Sequence, residues 1–405
     1  EQEKQSTLLV AHGIQETADG ARTDVKVGLP KCSDGLLHLD GRYEVKEEVF
    51  VQGPSCRVTG SAELLLSAPV RFQGSAVFAG QLSVKAVVDA LSGPCVAVKG
   101  NLTLEHKARL SLAGCKNQNQ KGQGGCLRVD SAAELRGQLL LRGCEVGPDG
   151  EGGGIHVGGA MRHWDTTIID AEGCRAGFGG AIWVAEMVIS GGNLGITQSE
   201  ARHDGGAIWA GEVLISGGDL SIADSKASTE NGGAIWAVQM VMSGGNLTIK
   251  DSEAVRKDGG AIFLVDLMRA SGGNLTIQGS SACGNGGAVH APKVNVSGGV
   301  VTIVESRLKC GGQAAASAGA GGCVHAESFV QSGGAVRLQG CEAESRGGGI
   351  FSKNITIGEI ATLSISDSKA ERGGGIFATW ITNKAKRLLV SGCRAEIYGG
   401  CFYVA

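Results

Sequence analysis

Trp183, Trp209, Trp236, Phe263 and His290 recur at intervals of 26 or 27 residues, each directly after a Gly-Gly-Ala-Ile or Gly-Gly-Ala-Val block. The series continues to His156 on one side and to His325, Phe351, Phe377 and Tyr403 on the other, with Arg128 in the equivalent place of the first full block. Stacked one per repeat, these residues form an aromatic strip along one face. Aromatic planes suit the apolar faces of sugars, so one reading is a glycan-binding strip. A second is that the rings stack on each other and help hold the sheet, with a small gain per pair. A third is a covering segment or protein partner, because large exposed apolar patches are usually covered.

Other candidates are weaker. Asp224 and Asp251 hold equivalent places one repeat apart, which would set them about 5 Å from each other, near the spacing of a retaining glycosidase pair. Both lie in Asp-Ser turns repeated at Asp367-Ser368, and Asp204, Asn231, Asp258 and Asn285 form a second such column; solvated turn residues are the expectation. His290 and His325 are a poor metal pair, and no Cys-x-x-Cys is present. No catalytic residue, metal site or cofactor is therefore assigned. Asn101, Asn246, Asn274, Asn295 and Asn354 each open an Asn-x-Ser/Thr acceptor for N-glycosylation. The regular Asn and Thr also suggest an ice-binding face, but Gly195, Val300, Ala335 and Arg337 interrupt it.

Two groups stand out among the 13 cysteines. Cys115, Cys144 and Cys174 fall on successive repeats in a column that accepts only Ser or Cys, and their stacked Cβ vectors disfavour bonding one to the next; a buried, reduced ladder is expected. Cys283 and Cys310 lie in turns of adjacent repeats, outside that column, and are the expected disulfide.

The elements that must carry these residues follow from the period. The first glycine of each block stands at 124, 152, 179, 205, 232, 259, 286, 321, 347, 373 and 399. One interval is long and contains a small-residue insertion at 309–320. Such self-similarity marks a solenoid. Within a repeat, as from Gly205 to Asn231, three short apolar runs alternate with period two and none has helical spacing. Three strands per coil, stacked coil on coil about 4.8 Å apart, make a parallel β-helix. Ile208, Ala210, Leu220, Ile222, Ser225 and Ala227 would face inward; Trp209, Asp219 and Ser221 outward.

Residues 1–35 lack the repeat and read as an N-terminal cap or irregular segment, 36–92 as irregular early coils, and 93–405 as regular coils without a C-terminal cap. The chain begins at Glu1 and stops one strand into a new coil, so a processed chain, a piece of a larger one, or an end docked on a partner is expected. A net charge of −3 without a basic cluster does not point to nucleic acid. No apolar run reaches about 18 residues, so no transmembrane segment is expected.

The Gly-Gly-Ala-Ile blocks, each followed by strands and a small-residue turn, resemble the polymorphic outer-membrane proteins and related adhesin-like repeats, and more broadly the pectin-lyase-like right-handed β-helix superfamily. The resemblance covers about 93–405. The second half of the repeat departs from it: Ile-x-x-Ser or Leu-x-x-Cys stands where that family has Phe-x-x-Asn. The resemblance implies right-handed coiling and an adhesive or scaffolding role in a secreted or cell-surface setting. The expected function is a non-enzymatic extracellular spacer with a binding face for a glycan or protein. The alternatives are a polysaccharide lyase or glycoside hydrolase on the same fold, and a structural subunit of a larger assembly with a protein partner at the last coil.

Overall fold

The computed structural model describes residues 11–16, 22–164, 167–310, 319–385 and 387–405. Among them the chain is all-β, with stacked parallel strands in a solenoid of about 12 turns and no helix. The register is in phase with the repeat. Ile182 pairs with Ile208, Ile208 with Ile235 and Ile235 with Ile262.

Each regular coil holds one more element than the apolar runs suggested. The first two runs join into a bent strand, as in Ile235–Met242. They separate into Val289–His290 and Lys293–Val296 where Pro292 intervenes, because proline has no N–H for the ladder. The third strand is Asn246–Lys250. A two-residue fourth strand follows, as in Glu253–Ala254, and these short strands stack into an eight-stranded sheet of their own. The early coils lack it: Val58 follows its partner Leu37 by 21 residues, and the first fourth strand is Lys116–Asn117. Before them, Ala11–Glu16 and Arg22–Val27 form an antiparallel pair whose second strand joins the parallel ladder. Residues 1–10 and 311–318, which include most of the expected insertion, lie outside the described residues.

The interior is a file of stacked aliphatic side chains. Ile208, Ala210, Val213, Ile215, Leu220 and Ile222 are each at most 1% exposed. The Ser column is equally buried, and most of its hydroxyls bond within their own turn: Ser225 Oγ donates to Ala223 O at 3.3 Å and Ser252 Oγ to Lys250 O at 3.3 Å, whereas Ser280 Oγ has no hydrogen-bond partner. This explains a column limited to Ser and Cys, since a larger side chain would not fit and an unpaired buried hydroxyl is costly. The two glycines of the block have separate reasons. Gly205 has φ 66°, and a Cβ on Gly206 would stand 2.0 Å from Gly233 O of the next coil. The first needs left-handed backbone and the second close approach.

The cysteine column departs from the expected reduced ladder. Cys115 is bonded to Cys95, Cys144 to Cys126 and Cys341 to Cys323. No bond joins successive members of the column. Each partner instead follows the paired-glycine (or Gly93-Pro94) step, 18 to 20 residues earlier across the interior. Cys174 has Gly154 at that place and remains a buried thiol, pushed up to about 12 by burial. Cys283 and Cys310 are bonded, as are Cys32 and Cys56.

Asp224, Asp251 and Asp367 occupy one turn with φ of 53°, 49° and 54°, and Gly279, Gly340 and Gly392 take the same place in other coils with φ of 63–69°. These carboxylates serve a left-handed turn, which Asp tolerates better than most residues. Asp224 is exposed, so only the backbone is at issue. Replacing Asp224 by Val should cost about 1–3 kcal/mol, whereas Asp224→Gly should stay within roughly 0.5 kcal/mol of the parent; urea denaturation of the two variants checks the contrast.

Candidate binding face

The aromatic strip exists and is stacked. His156, Trp183, Trp209 and Trp236 form one run of rings, with centroids 4.4–4.9 Å apart and planes within 7° of parallel. Phe263, His290, His325, Phe351, Phe377 and Tyr403 form a second, at 4.7–5.4 Å. The coil spacing is close to the thickness needed for ring contact, so in-register pairing alone produces the stack. The rings are part-buried, and His156 and Phe377 more fully. Ring faces within each run are occupied by neighbouring rings. Their edges face solvent.

Beside the strip runs a hydrogen-bonded Asp/Asn ladder. Asn231 Nδ2 donates to Asp204 Oδ1 at 3.2 Å, and its backbone N–H to the same oxygen at 3.0 Å. Asn285 does the same to Asp258. An intervening amide thus sets the Asp204 and Asp258 carboxylates two coils apart. Burial holds the Asp204 carboxyl above the usual range, against the Asn231 hydrogen bonds that pull it down. His290 Nδ1 lies 3.7 Å from Asp258. Burial lowers His290, and it takes His325 down to about 3, with His290 and Lys353 adding to the shift. His156 Nε2 is 3.1 Å from Glu151, poorly aligned, yet this contact keeps the Glu151 carboxyl below the usual range.

The third strand carries a second amide ladder. Asn246 Nδ2 donates to Asp219 Oδ1 at 2.7 Å and Asn274 Nδ2 to Asn246 Oδ1 at 2.8 Å. Ser221, Thr248 and Thr276 follow in the adjacent outward column. Of the glycosylation acceptors, Asn101, Asn246, Asn274 and Asn354 are exposed and Asn295 is part-buried. Asn246 and Asn274 are direct neighbours whose amide nitrogens are engaged in the ladder.

The fourth strand holds a feature that the sequence reading missed. Its outward residues are Lys116, Glu145, Arg175, Glu200, Lys226, Glu253, Ser281, Arg307, Glu342, Lys369 and Arg394, each paired with the next in register. The sign alternates coil by coil from Lys116 to Glu253 and again from Arg307 to Lys369, with neutral Ser281 between the two stretches and Arg394 on Lys369 at the end. Lys116–Glu145, Arg175–Glu200 and Lys226–Glu253 approach to 3.5–3.9 Å. The residue directly after each column Ser or Cys carries the signal in the sequence.

One constellation has the residue types of a hydrolase. Thr229 Oγ1 is 3.3 Å from His203 Nδ1, and His203 Nε2 is 3.5 Å from Asp149. The Thr229 hydroxyl, however, donates to Arg202 O at 2.6 Å, so its proton is not aimed at the imidazole. Asp224 and Asp251 are turn residues, as above. Among the described residues, no group of three or more His, Cys, Asp or Glu converges on a possible metal position, and no helix is long and apolar enough to cross a membrane. Comparison with protein-family models, curated proteins and solved structures finds no match to this chain.

Two outcomes follow from the strip. Trp209 is held between two rings, so Trp209→Ala should lower stability by about 2–3 kcal/mol and change the near-ultraviolet circular dichroism of the stacked indoles. His325 is depressed in the folded chain, so the unfolded chain binds more protons between pH 6.5 and about 3. Stability is therefore lost as pH falls through that window. His325→Phe should flatten the loss by up to about 1.4 kcal/mol per pH unit, read from denaturation midpoints at pH 4, 5, 6 and 7.

Proposed function

We propose that the protein is a non-enzymatic scaffold or spacer of the adhesin-like, pectin-lyase-like kind, working in an extracellular or cell-surface setting. The disulfides carry this reading: ten of the 13 cysteines are joined, and such bonds persist in oxidising compartments. Three brace the interior of a single coil and Cys283–Cys310 ties adjacent coils, rather than framing a cleft. The outward columns support the same conclusion, because their polar and ring groups are engaged with equivalents one coil away. A catalytic centre needs unlike groups converging on one point, and the Thr229, His203 and Asp149 group lacks the proton alignment for it.

The aromatic strip serves the solenoid first. A sugar stacked on the strip would need a free ring face, and inside the runs the faces are taken; a partner on this side meets ring edges. The third strand, with Asp219, Asn246 and Asn274 exposed beside Ser221, Thr248 and Thr276, is the more polar surface and the better glycan face, through hydrogen bonds.

Expression through a secretory pathway, followed by disulfide mapping and melting with and without reductant, tests the reading. The expected result is five mapped pairs and a melting temperature that drops by at least 10 °C on reduction, since an 18-residue loop closed by one bond is worth about 3 kcal/mol. A chain that folds with every thiol free and melts unchanged in reductant would overturn the oxidising-compartment assignment.

A further inference from the structure

We propose that Cys393 and Cys401 form a thiol pair that closes into a sixth disulfide, stitching one coil of the solenoid to the next. The five bonds already described set the rule. In three of them a column cysteine meets the cysteine of the glycine block in its own coil. Cys393 is a member of that column, with its Sγ donating to Ser391 O at 3.3 Å as the column serines donate to theirs. The block of its own coil is Gly373-Gly374-Gly375. A Cβ built on Gly375 would stand 3.0 Å from Cys393 Sγ. That is about the distance from a Cβ to the far sulfur of a cystine. Cys393 therefore faces the place of a half-cystine, and that place holds no side chain.

The next member of the block column is Cys401. Ile376 pairs with Phe402 in register, and Ile376 N–H donates to Cys401 O at 2.8 Å, so Cys401 sits one coil beyond Gly375. The Cβ position on Gly375 that lies 3.0 Å from Cys393 Sγ also lies 2.7 Å from Cys401 O, so both cysteines border the same spot. Both are part-exposed, within reach of a small reagent. Cys174 provides the internal contrast. It faces Gly154, whose Cβ would stand 3.3 Å from its sulfur, but the next block residue is Ala181. With no second sulfur and no exposure, Cys174 stays a thiol.

Closure needs an oxidant, and a small-molecule disulfide such as oxidised glutathione supplies it. One protein thiolate attacks a glutathione sulfur, forming a mixed disulfide and releasing one glutathione thiol. The other protein thiolate then attacks the protein sulfur of that bond and releases the second. Two protein thiols lose two electrons and two protons in all, and one glutathione disulfide becomes two thiols. Burial pushes the Cys393 thiol up to about 11, so closure should accelerate as pH rises.

The test uses the whole folded chain, treated with oxidised glutathione at pH 8.5. Remaining thiols are alkylated after unfolding, and trypsin then cuts at Arg394, between the two cysteines. The expected result is a linked pair of peptides containing Cys393 and Cys401, with free thiols falling from three to one, the survivor being Cys174. Cys401→Ser should keep the other five bonds and leave Cys393 alkylated or glutathionylated. Finding the link before any oxidant is added supports the proposal equally. Alkylation of both Cys393 and Cys401, or a separate glutathione on each, would overturn it. The proposal rests on the oxidising setting proposed above only for its occurrence in the organism. If the five bonds form and the sixth does not, this inference alone fails; if none of the five forms, the functional reading fails first.

Discussion

Everything in this molecule depends on one spacing. A parallel ladder sets each coil about 4.8 Å from the next, and the register places each residue on its own counterpart. A side chain must therefore tolerate a copy of itself at that distance. Aliphatic residues do so by packing, and they fill the interior. Rings do so by stacking, from His156 to Trp236 and from Phe263 to Tyr403. Amides do so by passing hydrogen bonds along the column, as Asp219, Asn246 and Asn274 do. Like charges do so poorly, and the fourth strand alternates them from Lys116 to Glu253 and from Arg307 to Lys369.

The same spacing decided what could be read from the sequence. The Gly-Gly blocks gave the period, and the period placed Ile208, Leu220 and Ser225 inside and Trp209 outside, where the structure has them buried and part-buried respectively. Neighbours along a column were legible because they differ by one repeat. Neighbours across a coil were not. Cys126 and Cys144 lie 18 residues apart, a separation with no meaning until the cross-section of the coil is known. Cys283 and Cys310 were legible, being one repeat apart. The fourth strand was hidden for another reason: two residues are too few to show a period of two.

Function was the least legible part, and the cause is again physical. Periodicity reveals columns, whereas a catalytic or binding centre is an exception to them. The groups that drew attention, Asp224 with Asp251 and His290 with His325, sit at regular places with structural duties. The left-handed turn explains the first pair, and the ring stack holds the second. The cysteines break the pattern most, occurring in some coils and not in others. They accordingly say more about the setting in which the chain works than the regular columns do.

The alternating charges carry a consequence for the history of the molecule. Lys226 over Glu253 and Glu200 over Lys226 mean that the unit of identity in this column is two coils, although the backbone repeats every one. Gene duplication of a single coil would set Lys on Lys or Glu on Glu; duplication of a pair would preserve every contact. The alternation changes phase once between Lys116 and Lys369, and the neutral Ser281 stands at that seam, between Glu253 and Arg307. A charge of either sign at Ser281 would meet its like on one side.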